Sequence, residues 1–150
     1  MSERRRLQFV DASVLIYAHD LSAGEKRIRA RDLIRELWRS GEGCLSVQVL
    51  QEFYVSATSK VASPLTPEEA GQIVTDLAAW QVHRPRVEDV LDAIRLQERC
   101  GISFWEAMIV ASAAQMDCQT IWSEDLVPAV YGQVAVLNPF VEQGREPQGL

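Results

Sequence analysis

The stretch Ile102-Ser-Phe-Trp-Glu-Ala-Met-Ile-Val-Ala-Ser-Ala-Ala114 decides the fold. Ser103 is a good N-cap, and Glu106 follows three residues later, where a capping-box acid lies. From Ala107 to Ala114 only Ser112 is polar. A helix that is apolar all round belongs at the centre of a domain, not on its surface. The chain therefore sets a carboxylate at the N-terminal end of a core helix. That carboxylate either caps the helix or works beside other acids.

Strands flank this helix on the sequence. Gln119-Thr-Ile-Trp122 reads as a strand ending in Ser123-Glu-Asp125, an acid-bearing turn. Val134 to Leu137 is a further strand, closed by Asn138-Pro139. On the other side, residues 86–100 form an amphipathic helix with Val87, Val90, Leu91 and Ile94 facing inward, stopped by Gly101. Gln81-Val-His83 is an edge strand ended by Pro85. His83 reads as a structural histidine rather than a catalytic one. Thr66 caps a helix that starts with Pro67 and two glutamates and runs to about Trp80.

Towards the N-terminus, Leu7-Gln-Phe-Val10 is a short apolar strand ending at Asp11, and an apolar helix, Val14 to Ala18, follows. That pairing marks a strand covered on both faces of a parallel sheet. Asp11 then stands at the carboxyl edge, where open α/β sheets bind ligands, or it merely caps the helix. Residues 23–40 form a helix with Ala30, Leu33, Ile34, Leu37 and Trp38 inward. On another face Arg27, Arg31, Arg35 and Arg39 make a four-residue-spaced ridge. Such a ridge is either a solvated face or a row of phosphate contacts. Gly41 and Gly43 end the helix, and Cys44-Leu45 is the core of a second short strand. Ser46 caps a helix to about Ser59, with Val47, Leu50, Phe53, Tyr54 and Ala57 inward. By periodicity Glu52 belongs to its polar stripe, with Gln48, Ser56 and Ser59.

Alternating strands and helices predict an α/β protein: one domain over residues 1–150, with a parallel sheet of about five short strands between helical layers. Residues from about 142 onward are expected to be a loose tail. No apolar run approaches the ~18 residues that cross a membrane, and the N-terminus lacks a signal peptide's apolar region, so a cytoplasmic protein is expected. Cys44, Cys100 and Cys118 are scattered, and neither they nor His19 and His83 have ligand spacing. A zinc site is therefore not expected, and the cysteines read as buried thiols. The net charge of −6 argues against nucleic-acid binding through bulk charge.

Asp11 and Asp125 share one predicted sheet edge, and the helix carrying Glu106 can start near it. Clustered carboxylates repel one another unless a cation neutralises them. Oxygen ligands without histidine or cysteine suit Mg²⁺ or Mn²⁺. A cation held this way can bind a phosphate oxygen and activate water, so the implied chemistry is phosphodiester hydrolysis.

Four motifs in order carry a resemblance: Phe9-Val-Asp-Ala-Ser-Val-Leu-Ile-Tyr17, Gln51-Glu-Phe-Tyr54, Ile102-Ser-Phe-Trp-Glu-Ala-Met-Ile-Val-Ala111 and Trp122-Ser-Glu-Asp-Leu126. Together they resemble a PIN-domain ribonuclease of the VapC type, the toxin of a toxin–antitoxin pair. Val136-Leu-Asn-Pro-Phe140 resembles that family's final strand. The resemblance implies a Rossmann-like three-layer α/β/α fold and a Mg²⁺- or Mn²⁺-dependent endoribonuclease. It also implies a homodimer and a cognate antitoxin that blocks the site. It places catalytic roles on Asp11, Glu52 and Asp125, and so promotes Glu52, which periodicity dismisses. Asp11, Glu106 and Asp125 would hold the metal, and Ser123 and Ser13 would support it. Ser13 stands where the family often has Asn. The third acidic position is usually Asp, and here it is Glu106, one methylene longer. Arg27, Arg31 and Arg35 are the RNA contacts the ridge offers. The competing readings are an attenuated PIN-like domain that acts by binding RNA or a partner protein, and a structure-specific DNA nuclease.

Overall fold

The computed structural model describes residues 6–141. The expected tail from about 142 lies outside the described residues. Six strands form one sheet in the order β3-β2-β1-β4-β6-β5. They are β1 (Gln8–Val10), β2 (Gly43–Ser46), β3 (Gln81–His83), β4 (Thr120–Trp122), β5 (Val130–Tyr131) and β6 (Val134–Leu137). Every neighbouring pair is parallel except β5 with β6. The helices are α1 (Ala12–Ala18), α2 (Glu25–Ser40), α3 (Val47–Ser59), α4 (Pro67–Leu77), α5 (Val87–Cys100) and α6 (Phe104–Gln115). This is the expected α/β architecture with a central, mostly parallel sheet. No helix among the described residues is long and apolar enough to cross a membrane.

The strands and α6 make the core as expected, while Trp38 of α2 and Tyr54 of α3, read as inward, are exposed. Phe9 and Val10 of β1, Cys44 and Leu45 of β2 and Ile121 of β4 are wholly buried. In α6 the buried set is Ala107, Met108, Ile109, Val110, Ser112 and Ala113, so this helix is covered on nearly every side. Sheet order reverses at β1, which lies between β2 and β4. The carboxyl ends of β1 and β4 thus flank a topological switch point, where such sheets leave a crevice.

Five local expectations are corrected. The strand β5 was not foreseen. It pairs with β6 through the two-residue loop Gly132-Gln133, with Gly132 at φ 62, the left-handed region that such tight loops need. α4 stops at Leu77, and Trp80 turns back to bond the Leu77 carbonyl at 2.9 Å. Gly43 belongs to β2, where a Cβ would meet the Trp80 ring at 2.7 Å, so glycine is needed for that close approach. In α5 the buried residues are Asp89, Ala93 and Leu96, while Val87, Leu91 and Ile94 face outward. The helix turns because Asp89 is drawn inside: its carboxylate accepts the Arg86 N–H at 2.7 Å and lies 3.4 Å from His83 Nε2. His83 Nδ1 is 2.8 Å from the Ser112 hydroxyl, so this histidine ties β3 to α5 and α6. The three cysteines are free, and Cys100 is exposed rather than buried.

Candidate active site

β1 delivers Asp11 and β4 delivers the 123–125 turn. Val10 pairs with Trp122, so the next residues, Asp11 and Ser123, leave their strands side by side. Their side chains meet: the Ser123 hydroxyl donates to Asp11 Oδ2 at 2.7 Å. Asp11 Oδ1 accepts the Ala12 N–H at 2.8 Å, so Asp11 caps α1 and faces the crevice at once. Ser123 Oγ in turn accepts the N–H groups of Asp125 and Leu126, each at 3.1 Å. Ser13 accepts the Glu124 N–H at 3.2 Å. These bonds fix the turn, and Asp11, Ser13 and Ser123 are all buried.

A cavity of about 440 Å³ opens over this edge, lined by Asp11, Ser13, Gln51, Glu52, Ser56, Lys60 and Asp125 among others. Burial is the main force pushing the Asp11 carboxyl up, from its ordinary 3.8 to about 6. The bonds from Ser123 and Ala12 oppose that rise, and the charges of Glu52 and Asp125 add to it. Asp125 is also raised, by burial and then by Glu124. Glu52 projects from α3, with Oε1 bonded to Gln48 Nε2 at 3.1 Å. The same Gln48 nitrogen reaches the Trp105 carbonyl at 3.3 Å and ties the first turn of α6 to α3.

Asp11, Glu52 and Asp125 are therefore brought together, with Ser13 and Ser123 beneath them. Glu106 is half-buried and does not line the cavity. Ser103 caps α6 by accepting the Glu106 N–H at 3.1 Å, without the reciprocal bond of a capping box. The Glu106 charge acts instead on Tyr131, whose hydroxyl is raised first by burial, then by Cys100 and Glu106. Arg27, Arg31 and Arg35 lie elsewhere, in a separate cleft with Ile34, Trp38 and α4. α1 separates the two places: Ala12, Ser13 and Ile16 line the acidic cavity, Leu15, Ala18 and His19 the arginine cleft. Lys60 was missed. Its signal was the polar stripe itself, since Gln48, Glu52, Ser56 and Lys60 recur every fourth residue of α3.

The donor set fits a hard divalent cation in kind: carboxylates and hydroxyls around a cavity, without histidine or cysteine. The Asp11 carboxyl is raised first by burial and only in smaller part by the charges of Glu52 and Asp125, and a cation would offset both. Among the described residues no three acids, histidines or cysteines are drawn close enough to grip an ion.

None of the curated proteins matches this chain. Solved structures do. A chain of a toxin–antitoxin complex from Klebsiella pneumoniae superposes with a TM-score of 0.64 at 18% identity, over 89% of this chain and 98% of that one. VapC20 of Mycobacterium tuberculosis, a Sarcin-Ricin loop cleaving toxin, gives 0.59 at 16% identity, over 76% and 86%. A chain of VapBC2 from Rickettsia felis, bound to a DNA fragment from their promoter, gives 0.59 at 15% identity, over 88% and 98%. At these identities the likeness is one of fold. The sequence itself matches the PIN domain family over residues 9–131. Sheet order, acidic edge and sequence match agree, and this chain belongs to the PIN domain family.

Proposed function

We propose that this chain is an endoribonuclease dependent on Mg²⁺ or Mn²⁺, and that it acts as the toxin of a toxin–antitoxin pair. The observation that carries the reading is the cavity joining Asp11, Glu52 and Asp125 at the switch point of the sheet. Asp11 and Asp125 would hold the cation, and Glu106 would support it from the first turn of α6 through water. When bound, the cation supplies charge neutralisation at a phosphate oxygen and a water of lowered pKa.

The chain's own residues do the rest. Ser123 and Ala12 orient the Asp11 carboxylate by bonding one oxygen each. Glu52 Oε1 is fastened to Gln48, which leaves Oε2 to accept the proton of the attacking water. Lys60 at the rim pairs with a neighbouring phosphate of the strand. The modest basic ridge and the lack of a DNA-docking motif in the sequence favour single-stranded RNA over duplex DNA. Arg27, Arg31 and Arg35 could touch the same RNA only where it wraps past α1. The antitoxin partner rests on the family likeness. For the homodimer there is one further support: the outward apolar row Val87, Leu91 and Ile94 of α5 offers a surface to a second copy.

Cleavage of total cellular RNA by the purified protein, with Mg²⁺, Mn²⁺ or EDTA, tests the reading. Cutting is expected with either metal, and none in EDTA or in Asp11→Asn. Glu106→Asp is expected to cut at least as fast as the natural protein. A natural protein that is inert while Glu106→Asp cuts would favour the attenuated, binding reading. No cutting by any form, with no metal bound, would end the enzymatic one.

A further inference from the structure

Glu124 stands between Ser123 and Asp125, yet its side chain leaves the acidic cavity. Oε1 accepts the Tyr17 hydroxyl at 2.6 Å, and Oε2 accepts Lys26 Nζ at 2.5 Å. Lys26 Nζ also lies 4.9 Å from the Tyr17 ring centre and 5.6 Å from that of Phe140. The two rings meet edge to face at 5.1 Å. An isolated surface ion pair holds little. This one has further partners. A charge-assisted hydroxyl bond shares the carboxylate, two rings flank the ammonium, and four separate segments of the chain converge.

The cluster acts on one place. Glu124 N–H is already bound to Ser13, and Ser123 to Asp11. The Ser123 hydroxyl also holds the Asp125 and Leu126 N–H groups, and the Glu124 side chain adds a tether on the side away from the cavity. Its carboxylate is turned to Tyr17 and Lys26 and does not line the cavity, which makes it an anchor rather than a ligand. We propose that Lys26 and Tyr17 are positioning residues, which through the Glu124 carboxylate hold the 123–125 turn and so set Asp125 against Asp11. The proposal rests on the reading of the cavity as a divalent-cation site.

One consequence separates an anchor from a mere surface contact. Releasing Glu124 lets Asp125 drift from the cation without unfolding the sheet edge, which Ser123 and Ser13 still fasten. Cation affinity should fall while the fold stays intact. Loss of a supporting partner at a metal site typically weakens the metal by about 10–100-fold, and an anchor one step further out falls at the lower end, near tenfold.

The test is titration of the purified protein with Mn²⁺, reading free aqueous Mn²⁺ by electron paramagnetic resonance, beside metal-free melting curves. Tyr17→Phe removes one hydroxyl, and Lys26→Met removes the charge. Each should bind Mn²⁺ about tenfold more weakly while melting, metal-free, as the natural protein does. The double variant should be little weaker than either alone, since both act through one carboxylate. Lys26→Arg should restore binding. In RNA cleavage the defect should appear as a raised Mn²⁺ requirement, with kcat recovered at saturating metal.

Natural affinity in both single variants would overturn the proposal. So would affinity lost in proportion to a lowered melting temperature, which marks a structural role alone. Loss of Mn²⁺ in Glu124→Ala with none in Tyr17→Phe or Lys26→Met would overturn it too, making Glu124 a ligand. A natural protein that binds no Mn²⁺ would remove the parent reading itself, an outcome distinct from variants that match a binding natural protein.

Discussion

Asp11 shows function set against stability in one side chain. A carboxyl pushed from 3.8 to about 6 disfavours the ionised fold by roughly 3 kcal/mol at neutral pH. The folded value is raised, so this group's share of stability is fully present below pH 3.8 and is lost as pH rises through about 6. Asp11→Asn removes the charge but leaves an amide N–H₂ facing Ser123, whose oxygen already accepts two bonds. The net gain in the metal-free protein at pH 7 is about 1–2 kcal/mol, or roughly 2–6 °C in Tm. That advantage should shrink as pH falls from 7 to 4. Melting curves of the two proteins across that range check it, and a lower Tm for Asp11→Asn at pH 7 would refute it. The residues of this edge were legible to different degrees. Asp11 and Asp125 announced themselves at strand ends. Glu52 did not, because a glutamate on a helix's polar face looks alike whether it meets solvent or a cavity. Glu106 was read near that edge from its place at the start of the core helix, and its side chain does not line the cavity.

At the scale of elements, α3 carries the clearest lesson. Glu52, Ser56 and the C-cap Lys60 line the cavity while Gln48 holds Glu52, so one helix and its cap supply an acid, its orienting amide and a cation. Lys60→Ala should raise the KM for RNA several-fold, leave kcat nearly unchanged, and reduce the salt dependence of binding by about one charge. Steady-state kinetics at two salt concentrations measure this, and an unchanged KM would remove Lys60 from the site. The β2–Trp80 contact makes a second test. Gly43→Ala drives a methyl into the indole, at a cost of about 1–3 kcal/mol, visible in urea unfolding. A stability equal to that of the natural protein would mean the ring yields freely. Helix and strand types could be read from period and caps. The facing of α5 could not, because Val87, Leu91 and Ile94 are as regular a row as any core stripe. The buried pairing of Asp89 with His83 and Arg86, which turns the helix, joins residues through space.

The whole molecule is a sheet whose strand order, rather than any local motif, creates the site. β1 and β4 are far apart in sequence and adjacent in space. Sequence order showed that the sheet was parallel, but not which strands touch. The acidic edge was thus foreseen as a shared edge and not as a pairing of Asp11 with Ser123. Association with a second copy belongs to this scale as well. The natural chain should sediment as a dimer, and Leu91→Asp, on the outward row of α5, should sediment as a monomer with its fold kept. A natural chain that is monomeric at high micromolar concentration would contradict that surface's role.

The central claim is that Asp11, Glu52 and Asp125 form one cation-dependent hydrolytic site. Its most direct test is RNA cleavage at saturating Mn²⁺ by Asp11→Asn, Glu52→Gln and Asp125→Asn, beside Glu36→Gln, which lies on α2 away from the cavity. The account predicts a loss of about a hundredfold or more in each of the first three and none in the fourth. Cleavage that survives all three substitutions, or falls equally in Glu36→Gln, would contradict it.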